Sequence, residues 1–326
     1  MRIYRFLFLS WVKKMGDQID MRDAFFRELL RVAREDPRII VLTADHGAQA
    51  LVDFEREFPN RFINVGIAEQ NMISVAAGLA AEGKRPVAYG IAPFVSLRAL
   101  EQITLNVAAM QLPVTIASIG SGFTYSTDGL THHGLQDVAA LLSMPQMTVL
   151  NSSDPASTEA FARQVSTCLF PRYVRLEKGL RPSHTRAQGN WENQGWGTIR
   201  EGDGGCLVIT TGAISHSVAN AADEVMKLRG ALPTVVDVHR LAPFPDAGLF
   251  ELIARSSSVL VVEEQYPALS QSISFEASSR GLVVDFNFLH APLEYFHQGA
   301  DRETMLARAG LSGSDILGRL LSMRGV

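Results

Sequence analysis

From Met21 onward the chain alternates between two hydrophobic rhythms. Short continuous apolar runs bounded by turn formers predict buried strands, and longer stretches with apolar positions three or four apart predict helices. MRDAFFRELLRVARE (21–35) has helical spacing, stops at Asp36-Pro37 and leads into the apolar run RIIVLTAD (38–45). A helix near 49–57, a strand at 61–65 and the Ala-rich helix AEQNMISVAAGLAAEG (68–83), ending at a glycine, come next. They are followed by a strand PVAYG (86–90), a helix at about 95–110 and a strand LPVTIASI (112–119). Residues 120–134, GSGFTYSTDGLTHHG, have neither period and read as a functional loop. A strand at 147–150, a helix opening at Asp154-Pro155 and the stretch PRYVRLEKG (171–179) close this part.

The same alternation resumes with CLVITTG, a helix at 213–229, PTVVDV, a helix at 246–255 and SVLVVEE. Strand-helix alternation predicts an α/β fold: two domains, each a parallel or mostly parallel sheet with helices on both faces. We expect an extension at 1–20, a first domain at 21–180, a Gly-, Pro- and Asn-containing linker at 181–204 and a second domain at 205–326.

Composition narrows the partners. A chain of 326 residues that is 47% apolar and 20% charged buries a substantial core. Its formal net charge of −4 removes the broad attraction that sequence-independent nucleic-acid binding needs, so no nucleic acid is expected. The opening MRIYRFLFLSWVKK has basic residues around a short apolar run but no small-residue cleavage site, and falls short of the roughly 20 apolar residues that span a bilayer. Neither export nor membrane insertion is expected. Cys168 and Cys206 lack metal-ligand or redox spacing and read as small buried hydrophobes in a cytoplasmic protein.

Candidate chemistry begins with Glu69. It is an acid in an otherwise uncharged, Ala-rich helix start, either a functional buried carboxylate or an exposed one favoured by the helix dipole. The surrounding NVGIAEQNM resembles the signature of transketolases and deoxyxylulose-phosphate synthases. PVAYGIAPFVSLRALEQI (86–103) and TDGLTHHGLQDVA (127–139) are similar to two further segments of that family, in the same order. The resemblance covers about residues 21–325 and implies a thiamine diphosphate pyrimidine-binding fold followed by a transketolase C-terminal domain.

It also implies roles. Glu69 would hold the aminopyrimidine and favour the tautomer that takes a proton from the thiazolium carbon. Phe94 would stack on the pyrimidine, whereas Leu100 stands where relatives often carry tyrosine. Asp128 and His132 would contact the sugar hydroxyls beside the reacting carbon, His132 with a catalytic share; His133 replaces the usual glutamine and its role stays open. Arg22 and Lys178 match phosphate contacts, Lys178 within a basic cluster with Arg172, Arg175 and Arg181, and Gln49 replaces a helping serine. His46, at a strand end, is read either as a substrate contact or as part of an Asp-His-Gly turn. His239 would serve packing and dimer contact.

No metal site is expected here. The family holds the diphosphate through a divalent cation on a G-D-G motif and a later asparagine; Gly202-Asp203-Gly204 is read as a turn, because Asn220 follows too soon. The resemblance therefore implies thiamine diphosphate shared with a partner, an N-terminal transketolase-like subunit that carries G-D-G, asparagine and most of the Mg²⁺ binding. Two chains of each kind would form a heterotetramer acting on a sugar phosphate or related ketose. Two other readings are a 2-oxoacid dehydrogenase-type beta subunit, against which T-D-G-L-T-H and G-I-A-E-Q speak, and an inactive scaffold homologue.

Overall fold

The computed structural model describes residues 18–186, 190–203, 205–245 and 248–326. The extension expected at 1–20 lies outside the described residues up to residue 17, as does Gly204 of the G-D-G match. The first half contributes β1 (Gln18–Asp20), β2 (Ile39–Thr43), β3 (Phe62–Asn64), β4 (Arg85–Ile91), β5 (Thr115–Ile119), β6 (Thr148–Asn151), β7 (Arg172–Leu176) and β8 (Leu180–Pro182). The second contributes β9 (Trp196–Arg200), β10 (Cys206–Thr211), β11 (Thr234–Val238), β12 (Arg240–Ala242), β13 (Ser258–Glu263) and β14 (Asp285–His290).

A seven-stranded sheet runs in the order β12-β6-β7-β5-β4-β2-β3 and a five-stranded one in the order β14-β13-β10-β11-β9. All neighbours are parallel except the pairs β12/β6 and β11/β9. Both sheets are covered on two faces, which is why their strands read as unbroken apolar runs. In β2, Ile40 and Leu42 pack with Met72, Ile73 and Ala76 of helix Glu69–Ala81, while Ile39 and Val41 pack with Phe25, Phe26, Leu29 and Phe54. Each fully buried Ile, Val, Leu, Phe or Met side chain among them contributes roughly 1.5–3 kcal/mol.

The two halves share one core. The cluster around Ile40 and Leu42 continues through Tyr173 and Trp196 to Leu207, Ile209, Val236 and Val261 of the second sheet. In addition β12, although it follows β11 in sequence, adds to the first sheet's edge, with Asn151 N–H donating to the His239 carbonyl at 2.9 Å. The stretch expected as linker is also structured. Its β8 pairs antiparallel with β1, and its β9 pairs with β11, with Trp196 and Ile199 buried in the core.

One predicted helix is broken. In place of a continuous helix at 95–110 there are short turns at Ala92–Val95 and Leu100–Gln102 and a wide turn at Ile103–Ala108. The Ser96 hydroxyl donates to the Ala92 carbonyl, and Arg98 N–H reaches back five residues to Pro93 at 3.1 Å. A side-chain hydroxyl competing for a helix carbonyl opens the turn, and wide turns of this kind gather at functional sites. Here the break leaves Phe94 and Arg98 beside Glu69.

Candidate active site

Five neighbouring strands, β7, β5, β4, β2 and β3, are parallel, and the segments carrying Lys178, Asp128 and His132, Phe94, His46 and Glu69 leave from their carboxyl ends, while Arg22 follows β1. Their convergence forms a cleft of about 260 Å³ lined by Ala44, Asp45, His46, Ile67, Glu69, Gly90, Ile91, Phe94 and Arg98.

Glu69 opens its helix and is 6% exposed. Its Oε2 accepts a 2.8 Å charge-assisted hydrogen bond from Arg98 Nη1, and the Arg98 guanidinium lies 4.0 Å over the Phe94 ring. Arg98 is itself 44% exposed, so on this side the carboxylate is covered by a side chain partly in solvent and not by core. Phe94 meets His132 edge-to-face with ring centroids 5.0 Å apart. Leu100 packs against the core instead of lining the cleft.

His46 arrives on a tight turn. Asp45 has φ of 55°, a left-handed conformation uncommon for a side-chain-bearing residue, and Asn64 Oδ1 accepts from its N–H at 3.0 Å. The Thr43 hydroxyl donates to the His46 carbonyl at 2.6 Å. The imidazole rests against Tyr89, 5.3 Å between centroids, and its Nε2 is buried without a partner. Burial, then the charges of Arg22 and Lys178, lower its pKa, so the ring stays neutral.

One carboxylate joins the two segments that carry these cations. Asp20 caps helix Met21–Glu35 by accepting from Arg22 N–H at 3.0 Å, and its other oxygen accepts from Gly179 N–H at 2.8 Å. Asp20 thereby ties the backbone at Arg22 to that at Gly179, next to Lys178, while Arg22 Nε donates to Asp23 at 3.1 Å. Lys178 is exposed, with Nζ 5.4 Å from the Tyr125 ring centroid. Tyr125, absent from the sequence reading, lies 6.2 Å from His132 and fills the space above Gly120, where a Cβ would meet its ring at 2.5 Å. Burial and then Asp128 raise its hydroxyl pKa against the opposing pull of Arg22, keeping the phenol protonated. Asp128 is exposed at the end of the turn Ser126–Asp128, and Thr131 Oγ1 lies 3.0 Å from His132 Nδ1.

The remaining candidates sit elsewhere. Arg172 and Arg175, grouped by sequence with Lys178 as anion anchors, point inward and are corrected here to structural roles. Arg175 binds Asp137 at 2.9 Å, Gln265 at 2.8 Å and the Gly134 carbonyl, while Arg172 binds the Phe161 carbonyl at 2.5 Å. Tyr173 completes this network at Asp137, 2.6 Å away. His133 is buried against Phe123, and burial lowers its pKa. Gln49 is exposed at its helix start. His239 is buried between the halves, with Nε2 3.1 Å from the Trp191 carbonyl. Asp203 accepts from Gly205 N–H in a turn ahead of β10. Among the described residues no cluster of three or more His, Cys, Asp or Glu could hold a metal ion.

Comparison with known proteins agrees with this architecture. The family described as "Transketolase, pyrimidine binding domain" matches residues 17–183. The 6-deoxy-6-sulfo-D-fructose transketolase subunit of Clostridium sp. (strain MSTE9) is 34% identical over 247 residues, 74% of this chain and 75% of that protein. The putative transketolase C-terminal section of Methanocaldococcus jannaschii is 30% identical over 95% of this chain and 98% of its own length. Against 1-deoxy-D-xylulose-5-phosphate synthase 2 of Geobacter sulfurreducens, 31% identical, the chain spans 50% of the relative. Among solved structures, a split gene transketolase described as an inactive beta4 tetramer superposes with a TM-score of 0.82 at 28% identity, covering 93% of this chain and 97% of that one.

Fold and relatives define the class: a component of a thiamine diphosphate-dependent transferase. The chain belongs to the transketolase pyrimidine-binding domain family and corresponds to the C-terminal part of a transketolase-like enzyme.

Proposed function

We propose that this chain supplies the pyrimidine-binding and sugar-binding half of a split enzyme that transfers a two-carbon ketol unit between sugar substrates. The observation that carries the reading is the buried Glu69 carboxylate, set beside Phe94 in an open cleft with the unpartnered His46 Nε2. An aminopyrimidine has two apolar faces and a hydrogen-bonding edge. Ala44, Ile67, Gly90, Ile91 and the Phe94 ring suit the faces and Glu69 suits the edge, so the residues present fit the group. Bound there, thiamine diphosphate supplies a nucleophilic carbon for the ketose carbonyl.

The chain's own residues do the rest. Glu69 exchanges its Arg98 partner for a ring nitrogen and holds a proton there. His132 and Asp128 hold sugar hydroxyls and follow the charge that develops on the carbonyl oxygen. Arg22 and Lys178 bind an anionic end of the sugar, and neutral His46 accepts a hydroxyl proton at Nε2. Two relatives are named for sugars with such an end, 6-deoxy-6-sulfo-D-fructose and apulose 4-phosphate.

Diphosphate and Mg²⁺ fall to a partner subunit with a G-D-G and asparagine motif, in a heterotetramer of two chains of each kind. In support, a solved relative is described as an inactive tetramer of beta chains. We place the complex in the cytoplasm; Cys168 and Cys206 are both free, and no helix among the described residues is long and apolar enough to cross a membrane.

The test is reconstitution with such a partner, scoring ketol transfer from a ketose phosphate and carbon dioxide release from pyruvate. Transfer that requires both chains and is lost in Glu69→Ala supports the reading. Turnover by this chain alone, or decarboxylation without transfer, sinks it.

A further inference from the structure

Arg302, Glu177 and Glu264 form a buried ion cluster where the two halves of the chain meet. Arg302 opens helix Arg302–Arg308 in the second half. Its Nη1 donates to Glu177 Oε1 at 2.5 Å, and its Nη2 to Glu177 Oε2 at 3.2 Å and to Glu264 Oε2 at 2.6 Å. The glutamate side chains are 1% and 7% exposed.

The other bonds of both carboxylates converge on one segment. The Ser121 hydroxyl donates to Glu177 Oε2 at 2.7 Å, the Thr124 hydroxyl to Glu177 Oε1 at 2.5 Å, and Phe123 N–H to Glu264 Oε1 at 2.8 Å. Gly122 and Gly134 exchange two 2.9 Å backbone hydrogen bonds that close the base of the 120–134 loop. Gly122 has φ of 55°, and a Cβ there would meet Glu264 Oε1 at 2.4 Å, so the grip requires glycine. The Phe123 ring lies edge-on to Phe296 at 5.0 Å, inside the second half's own core. The stem of the loop is thus held by the second half, and Glu177 directly precedes Lys178.

The geometry points to Arg302 as a positioning residue for the sugar: with Glu177 and Glu264 it holds Tyr125, Asp128, His132 and Lys178 in register with the cleft. The second half of the chain then takes part in substrate recognition while the cofactor grip at Glu69 and Phe94 stays separate. This rests on the sugar-binding role proposed for that loop. A guanidinium suits the task because its planar fork serves both carboxylates at once, whereas an ammonium is a point charge. Directional bonds also fix the loop's rotation, which apolar packing alone leaves free.

The test compares Arg302→Gln, Arg302→Lys and Glu264→Gln in the full chain by amide hydrogen exchange, then in the complex with the partner by kinetics. Backbone amides of 120–134 are expected to exchange on the order of tenfold faster in Arg302→Gln and Glu264→Gln, and less so in Arg302→Lys, while residues 69–81 and 206–211 keep their rates. In the complex, the KM for a ketose phosphate is expected to rise about tenfold or more, with a smaller change in kcat and no change in thiamine diphosphate affinity. Unchanged exchange in the loop overturns the proposal. So does equal acceleration across 206–211, which marks a general docking contact, or cofactor affinity that falls in step with KM. A wild-type complex without transfer activity overturns only the functional reading, since the exchange measurement still decides the clamp.

Discussion

Glu69 and Arg98 form a 2.8 Å ion pair across the cleft, with the carboxylate buried and the guanidinium partly in solvent. Such a pair contributes little to folding, about 0–1 kcal/mol after screening, because Arg98 keeps much of its hydration. Arg98→Ala is therefore expected to leave the thermal midpoint nearly unchanged and thiamine diphosphate affinity in the complex equal or higher, since the cofactor no longer has to displace the guanidinium from Glu69. Glu69→Gln is expected to lower kcat by about 10²–10⁴-fold at similar stability. Melting curves, cofactor titrations and steady-state turnover in the complex measure these effects; weaker cofactor binding in Arg98→Ala would show that the arginine is a contact and not a cover.

Tyr125 and Lys178 separate charge from donor. Lys178→Ala is expected to raise the KM for a phosphorylated ketose by about 10–100-fold, the value of a charged hydrogen bond. Tyr125→Phe keeps the ring above Gly120 and removes the hydroxyl, so a rise of roughly tenfold is expected for the phosphorylated sugar and none for the unphosphorylated one. Equal effects on both sugars would place Tyr125 outside the anion subsite.

Acid sensitivity has a defined source. His216 stacks on His184 at 4.0 Å, its Nε2 lies 3.0 Å from the Ser153 carbonyl, and Arg181 and Asp154 also face it. Burial, then His184 and Arg181, push its pKa down to about 4. The unfolded chain takes up this proton near pH 6.5 and the folded chain only near 4. Stability is therefore fully present above pH 6.5 and lost as pH falls through that window, by up to roughly 3 kcal/mol. Urea midpoints from pH 7 to pH 4.5 should fall less steeply for His216→Gln than for the parent; parallel curves would assign the loss to other groups.

Arg186 bridges the halves, binding Asp154 at 2.7 Å and Asp237 at 2.9 Å, with a side chain only 4% exposed. Removing it leaves two buried carboxylates without a counter-charge. Arg186→Met is expected to cost about 3–5 kcal/mol, read as a lower urea midpoint with retained secondary structure, while adding Asp237→Asn should recover part of the loss.

Much of the first half was legible because its cues are local. Helix Met21–Glu35 and helix Pro155–Arg163 begin at aspartate caps that the sequence displays, and the β2, β4 and β5 runs are unmistakably apolar. Glu69, Phe94 and His132 lie within contiguous motifs, which is why the sequence singles them out. Arg172 and Arg175 were misread for the opposite reason. A charged residue in a strand signals an exposed edge, but β7 is central, and the Asp137 and Gln265 partners of Arg175 lie 38 and 90 residues away. Arg302 had no signal near it at all, since its value comes from a glutamate 125 residues earlier. The wide turn at 103–108 escaped because Thr104 bonds back to the Leu100 carbonyl, which helical periodicity does not register.

The loan of β12 to the first sheet has a practical meaning for anyone dissecting this chain. A fragment cut at residue 183, where the family match ends, would carry β6 with a bare hydrogen-bonding ladder, and the apolar side chains that meet Leu207 and Val236 would be left wet. Such a piece is expected to aggregate through that raw edge. The family match at 17–183 thus ends inside a stretch whose core and sheet continue into the second half.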